Sequence, residues 1–246
     1  MKPAKIQVVY QDDAIVIVNK PAGILSIPDR FNLQLVNIYH FLKEEYGDKI
    51  YIVHRLDRDT SGILCFARTE EAHRELSRQW QERTVDKTYC VLVQGTILQE
   101  AGRIENYLGE HPGIPGRMVV TKRDGKKSIT EWRVTERFKN YTLVAADIKT
   151  GRQHQIRVHF TDMGHPLAID PMYAKRESMF LSEIKTRKYK ASKEDDEAPL
   201  MSRMTLHAHQ LSFLHPETQE KVGFEAELPK DFAAILNQLR KHGKAK

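Results

Sequence analysis

Cysteine is scarce: the 246 residues contain two, Cys65 and Cys90, each inside an apolar, strand-like stretch (Ile-Leu-Cys-Phe and Tyr-Cys-Val-Leu). Thiols so placed are expected to be buried and inert. That excludes a disulfide framework or a cysteine metal site and points to a reducing, cytoplasmic setting. Long apolar runs are missing too; residues 14–18 form one of the longest, far below the ~18 residues of a membrane span. No secretory leader is evident, and no membrane association is expected. There is no Gly-rich dinucleotide or phosphate loop and no His-Glu-x-x-His. Among eleven histidines, only His207-Ala208-His209 and the pair His154 and His159 suggest a metal, and each lacks a third ligand. No metal and no cofactor is expected.

What the chain does have is positive charge. The formal net charge is +6, which favours a polyanionic partner without identifying one. Residues 117–139 hold eight basic residues (Arg117, Lys122, Arg123, Lys126, Lys127, Arg133, Arg137 and Lys139) against three acidic ones, so the excess is concentrated there. With 40% apolar and 29% charged residues and no repeat or linker, one globular domain spanning 1–246 is expected, a monomer with no obligate protein partner evident.

Strand signals at 6–10 and 15–18 predict an opening hairpin. Only a few residues precede it, so no further folded module is expected ahead of it. Leu35, Tyr39, Leu42 and Tyr46 recur at helical spacing before Gly47, predicting a helix over 33–46. A second helix is expected over about 70–82, capped by Thr69 and packed by Ala72, Leu76 and Trp80. Residues 87–94 read as a strand, and 101–116, rich in glycine and proline, as irregular loop. Strands at 117–121 and 128–137 are expected to form a hairpin about Asp124-Gly125. Lys122, Arg123, Lys126 and Lys127 at its tip would either contact the polyanionic partner or protect a strand edge. Residues 141–148 predict a strand, and Thr150-Gly151 leads into a helix that buries Ile156 and Phe160 while Arg157, one turn from Gln153, points into a cleft. A polar and mobile insertion is expected over 176–203, followed by a hairpin of 205–214 and 221–228 and a last helix packed by Phe232, Ile235, Leu236 and Leu239. The pattern is α+β with a mixed, largely antiparallel sheet.

The stretch that organises the rest is 50–68, where two apolar β-prone runs enclose a polar loop. Taken alone, Asp57 and its neighbours are an ordinary solvated connection. However, His54-Arg55-Leu56-Asp57-Arg58-Asp59-Thr60-Ser61-Gly62 resembles the catalytic loop of RNA pseudouridine synthases of the RluA type. The resemblance continues through Lys87-Thr88-Tyr89, Thr150-Gly151-Arg152-Gln153-His154-Gln155-Ile156-Arg157-Val158-His159 and Gly164-His165-Pro166-Leu167, in family order. Asn19-Lys20-Pro21-Ala22-Gly23 resembles the family's first word. A protein-kinase loop is excluded, because a leucine interrupts His-Arg-Asp and neither a Gly-rich loop nor Asp-Phe-Gly accompanies it.

The resemblance implies a central twisted sheet flanked by helices and loops, with the active cleft across its middle. It implies a cofactor-independent isomerase that converts uridine to pseudouridine in structured ribosomal or transfer RNA. Asp57 takes the role of the essential aspartate, Arg157 that of its ion-pair partner, and Tyr89 that of the tyrosine beside the uracil. Arg55 matches the residue that fills the space left by the everted nucleotide. Ile63 and Leu64 could wall the uracil slot, Arg152 could bind phosphate, His154 lies in the RNA-binding word, and His54 orients the loop by hydrogen bonding. One difference is Ile169 before Asp170, where relatives often have glycine; it bears on loop shape and on no catalytic role. The competing class is a non-catalytic RNA-binding or ribosome-assembly protein of the same fold, which would have no need of Asp57, Tyr89 and Arg157 together.

Overall fold

The computed structural model describes residues 6–185 and 197–243. In chain order these form β1 (Gln7–Gln11), β2 (Ile15–Lys20), α1 (Ile38–Tyr46), β3 (Tyr51–Ile52), β4 (Ser61–Ala67), α2 (Glu70–Glu82) and β5 (Asp86–Gln94). There follow β6 (Ala101–Glu110), β7 (Met118–Val120), β8 (Lys126–Arg137), β9 (Tyr141–Ile148), α3 (Gln155–Asp162) and α4 (Leu181–Ile184). The chain closes with β10 (Leu206–Leu214), β11 (Lys221–Glu225) and α5 (Lys230–His242). It divides into two compact units, residues 1–89 with 207–227, and residues 90–206 with 228–246.

In the first unit the strand order is β1-β2-β4-β10, with β3 also on β4 and β11 on β10. Only β4 and β10 run parallel; the other pairs are antiparallel. Ile15, Ile17, Ile63, Cys65 and Ala67 meet Ala72 and Leu76 of α2 in one core. Val16, Val18, Leu64 and Phe66, on the alternate positions, are also fully buried, so β2 and β4 have no wet face and read as continuous apolar runs. Helix α2 has the predicted bounds, with Thr69 accepting from Ala72 N. Helix α1 is shorter than expected. Asn37 caps it by accepting from His40 N at 2.9 Å, and that cap fixes its start at Ile38. Leu33 and Leu35 lie outside it and are exposed.

In the second unit the antiparallel order is β9-β8-β6-β7. Residues 101–110, expected as loop, are a strand. Gly102 marks close approach and not a turn, since a Cβ there would lie 2.6 Å from the Trp132 ring. The expected hairpin about Asp124 is also corrected. Leu108 of β6 is in register with both Val120 of β7 and Lys126 of β8, so β6 lies between the two strands. The turn signal is genuine, with Asp124 at φ 55°, but the connection steps over the end of β6. Helix α3 packs on β8 through an edge contact of Phe160 with Trp132, while α5 buries Phe232, Ile235, Leu236 and Leu239 against Leu92, Tyr141 and Leu143. Of the expected polar insertion, Met179, Ile184 and Met201 belong to this same core, and Met179 pairs with Met201 as a β-bridge. Residues 186–196 lie outside the described part.

Candidate active site

The loop that carries Asp57 joins β3 to β4, and its backbone is held from the 20–26 segment. Ser26 Oγ donates to Leu56 O at 2.9 Å and accepts from Leu56 N at 3.0 Å. Lys20, fully buried, donates from Nζ to the carbonyls of Pro21, Ile24 and Arg58 at 2.9, 2.7 and 2.9 Å. Gly23 N donates to Arg58 O, and Arg58 Nε donates to Gly23 O. Thr60 N closes a turn on Asp57 O at 3.1 Å. An ammonium is tolerated in such a place because each carbonyl bond to it is charge-assisted. The sequence showed Asn19-Lys20-Pro21-Ala22-Gly23 as a break in the strand pattern and as a family-like word, but gave it no role; the signal for that role was a lysine ending an otherwise apolar run.

Both ends of the loop are fixed. At the start, His54 Nε2 accepts from Cys65 N at 3.0 Å and its ring stacks on Trp80 with centroids 4.8 Å apart. Burial, aided by the charge of Lys87, pushes its pKa down to about 3, so the ring is neutral and Nδ1 carries the proton. At the far end, Gly62 has φ 119°, and a Cβ there would fall 2.1 Å from Ala208 O. No side chain fits where β4 runs against β10. Ser61 Oγ also meets His207 Nδ1 at 2.9 Å.

Asp57 is half-buried and Tyr89, on β5 in the same unit, is buried. Burial first, and the negative charge of Asp57 second, push the Tyr89 phenol up. The phenol therefore keeps its proton near neutral pH. Arg55 is exposed on the loop. Ile63 packs in the core beneath α2, whereas Leu64 lies on the opposite face of β4.

In the second unit, Thr150 and Gln155 anchor the start of α3. Thr150 Oγ1 donates to Gln155 Oε1 at 2.7 Å and accepts from Ile129 N, while Gln155 Nε2 donates to Ile129 O and Thr130 Oγ1. Residues 155–160 are all buried, so the helix has no open side for Arg157 to project from. Instead Arg157 is 7% exposed and donates from Nε and Nη2 to the Asp170 carboxylate at 2.7 and 2.9 Å. Asp170, completely buried, also accepts from Met172 N and Tyr173 N. The Tyr173 ring lies 4.8 Å from the Arg157 guanidinium, and its hydroxyl meets His154 Nδ1 at 2.9 Å. Sequence reasoning passed over Tyr173, and it met Asp170 only as the residue after Ile169 in the Gly-His-Pro-Leu word, without seeing that its carboxylate grips Arg157.

Arg152 Nε donates to Lys127 O at 3.1 Å. Lys122, Arg123, Lys126 and Lys127 are exposed, and Lys127 pairs with Glu105 at 2.5 Å. His207 and His209, the metal candidates, both direct a ring nitrogen to Ala226 O. No described helix is long and apolar enough to cross a membrane.

Residues 14–162 match the RNA pseudouridylate synthase family. The chain is 38% identical to ribosomal large subunit pseudouridine synthase D of Neisseria meningitidis serogroup B over 97% of its own length and 62% of that protein. It is 36% identical to the uncharacterized RNA pseudouridine synthase YlyB of Bacillus subtilis, covering 98% of this chain and 75% of the relative. The chain thus spans about three-fifths of the length of some of the curated relatives it matches. A solved human structure, RNA pseudouridylate synthase domain containing 4, shares the fold with a TM-score of 0.72 at 23% identity, over 95% of this chain and 93% of that one. On the extent of the match and on these relatives, the chain belongs to the RNA pseudouridylate synthase family.

Proposed function

We propose that this chain isomerises specific uridines to pseudouridine in structured RNA, with ribosomal large-subunit RNA the first substrate to test and transfer RNA the second. The reaction breaks the glycosidic C–N bond, turns the uracil and rejoins it to the ribose through C5, and atoms and electrons balance within the nucleotide. Asp57 is the attacking carboxylate, at the sugar or at the ring. The observation that carries this is a half-buried carboxylate on a loop whose backbone is bonded by Lys20 and Ser26, in the same unit as the buried Tyr89.

Tyr89, protonated at neutral pH, borders the uracil as a hydrogen-bond donor, and the proton that C5 loses is balanced by the one that N1 gains, exchanged through solvent. Arg157 is the third residue of the proposed set, its guanidinium held in place by the buried carboxylate of Asp170. Arg55 fills the gap left by the everted nucleotide, whose extrusion costs a few kcal/mol. His54 orients the loop; Leu64 is preferred to Ile63 as a wall of the slot. Arg152, His154, Lys122, Arg123, Lys126 and Lys127 form the RNA-facing set. The trio Asp57, Tyr89 and Arg157 favours turnover over a purely binding role. Incubating the protein with total RNA and mapping pseudouridine tests the reading: wild type gains modified sites and Asp57→Asn does not. Equal modification by both would overturn the assignment of Asp57.

A further inference from the structure

Arg117 opens β7 in the second unit, at the end of the turn 111–117. Its backbone is fixed there, with Arg117 N donating to Ile114 O at 3.2 Å and His111 N donating to Arg117 O at 2.8 Å. The guanidinium lies 5.4 Å from the centroid of Tyr173, the same ring that carries Arg157 at 4.8 Å. That ring cannot swing away. Its hydroxyl accepts from Met118 N at 2.9 Å, donates to Met118 O at 3.2 Å and meets His154 Nδ1.

Arg117 Nε is buried and has no hydrogen-bond partner among the described residues. The other half-buried or buried arginines described in this unit each have an acceptor: Arg157 holds Asp170, Arg176 holds Glu183, Arg203 holds Asp231, Arg137 holds Glu100, and Arg152 donates to Lys127 O. Arg117 is the exception. A buried N–H left without an acceptor costs free energy on folding, and a fold that satisfies its other arginines retains this cost where an anion from outside removes it. Two guanidiniums converge on one ring, Asp170 neutralises one of them, and Lys122 and Arg123 follow five and six residues along the chain. Arginine's planar fork matches a phosphate bidentately.

We propose that Arg117 binds a backbone phosphate of the RNA substrate, with its guanidinium braced against Tyr173. The proposal rests on the reading above that the substrate is RNA, and it adds a contact point outside the six RNA-facing residues named there.

The test is a titration of a fluorescein-labelled transcript, spanning a uridine mapped in the modification assay, across a series of KCl concentrations. Loss of one charge-assisted phosphate contact in Arg117→Met should weaken binding about tenfold at low salt. The slope of log K against log salt should become shallower by about 0.7 to 0.9, the contribution of a single phosphate. Arg117→Lys, which keeps the charge but loses the fork, should keep the slope while recovering only part of the affinity. Lys230→Met on α5 is the charge-matched control and should leave both quantities unchanged. An unchanged slope in Arg117→Met, whatever happens to Tm, overturns the proposal, as does an equal change in Lys230→Met. Should the wild-type chain modify no uridine in total RNA, the isomerase reading fails, and the same slope comparison on a structured fragment of large-subunit ribosomal RNA still decides the phosphate contact.

Discussion

The two charged side chains at the centre of the proposal are held in opposite ways. Around Asp57 the fixing groups act on the main chain: Ser26 takes both polar atoms of Leu56, and Lys20 takes Arg58 O. Around Arg157 they act on the side chain itself, through a buried carboxylate that grips Nε and Nη2 and a ring packed on the guanidinium plane. The difference fits the work proposed for each. A nucleophile has to be aimed, and bonds to the main chain on either side of it aim it. Of the five N–H donors that a guanidinium carries, Asp170 engages Nε and Nη2, which fixes the plane of the group.

The contrast can be broken from either side. Asp57→Asn should lower pseudouridine formation by roughly a thousandfold or more, as loss of a nucleophile does, while Tm stays within a few degrees, because none of the anchors is the Asp57 carboxylate. Pseudouridine mapping alongside a thermal melt checks both halves. Asp170→Asn should do the reverse, lowering stability by about 3 to 5 kcal/mol by leaving a buried guanidinium without its counter-charge. Urea unfolding measures this. Pairing it with Arg157→Met should recover much of the loss, and no recovery would mean that the two residues do not act as a pair.

Lys20→Met removes the ammonium from three carbonyls, two of them on the 20–26 segment and one on the loop. Stranding polar groups of this kind costs about 1 to 3 kcal/mol, and the loop should loosen, so kcat should fall more than KM rises. The smallest effect is on pH dependence. Burial pushes His159 down to about 4, against 6.5 when exposed, where it meets Thr130 Oγ1 and Asn106 Oδ1. The unfolded chain therefore binds this proton first, and the stability that neutral His159 contributes is complete above about pH 6.5 and is lost as pH falls from there towards 4. His54 adds a loss of the same sign that extends to about pH 3. His159→Asn should flatten the decline of Tm between pH 6.5 and 4, and an unaltered slope would count against this account.

Much of the first unit could be read from the sequence. The apolar runs of β2 and β4 are unbroken because both faces are buried, and Thr69 with two glutamates marks α2 to the residue. The second unit was less legible. Gly102 and Gly109 resemble turn residues, yet Gly102 is required by a tryptophan lying over its strand, and no local pattern reports a neighbour thirty residues away. The hairpin expected at Asp124 failed similarly: the turn chemistry is real, but β6 is inserted between its arms by the register of Leu108. The chemistry of Asp57 and Tyr89 was suggested by words, whereas Asp170 and Arg117 stand out only once burial and partners are known.

Gly62 lies against Ala208, and Ser61 against His207, across 146 residues of sequence. The strand that ends the Asp57 loop thus borrows a parallel neighbour made near the close of synthesis. A chain still emerging from the ribosome has the Asp57 loop long before it has the scaffold for it, and such distant pairings form slowly. Timing is therefore built in: the loop is completed only when almost the whole polypeptide exists, and a product truncated before residue 207 would carry every catalytic side chain proposed here without the strand that seats the nucleophile.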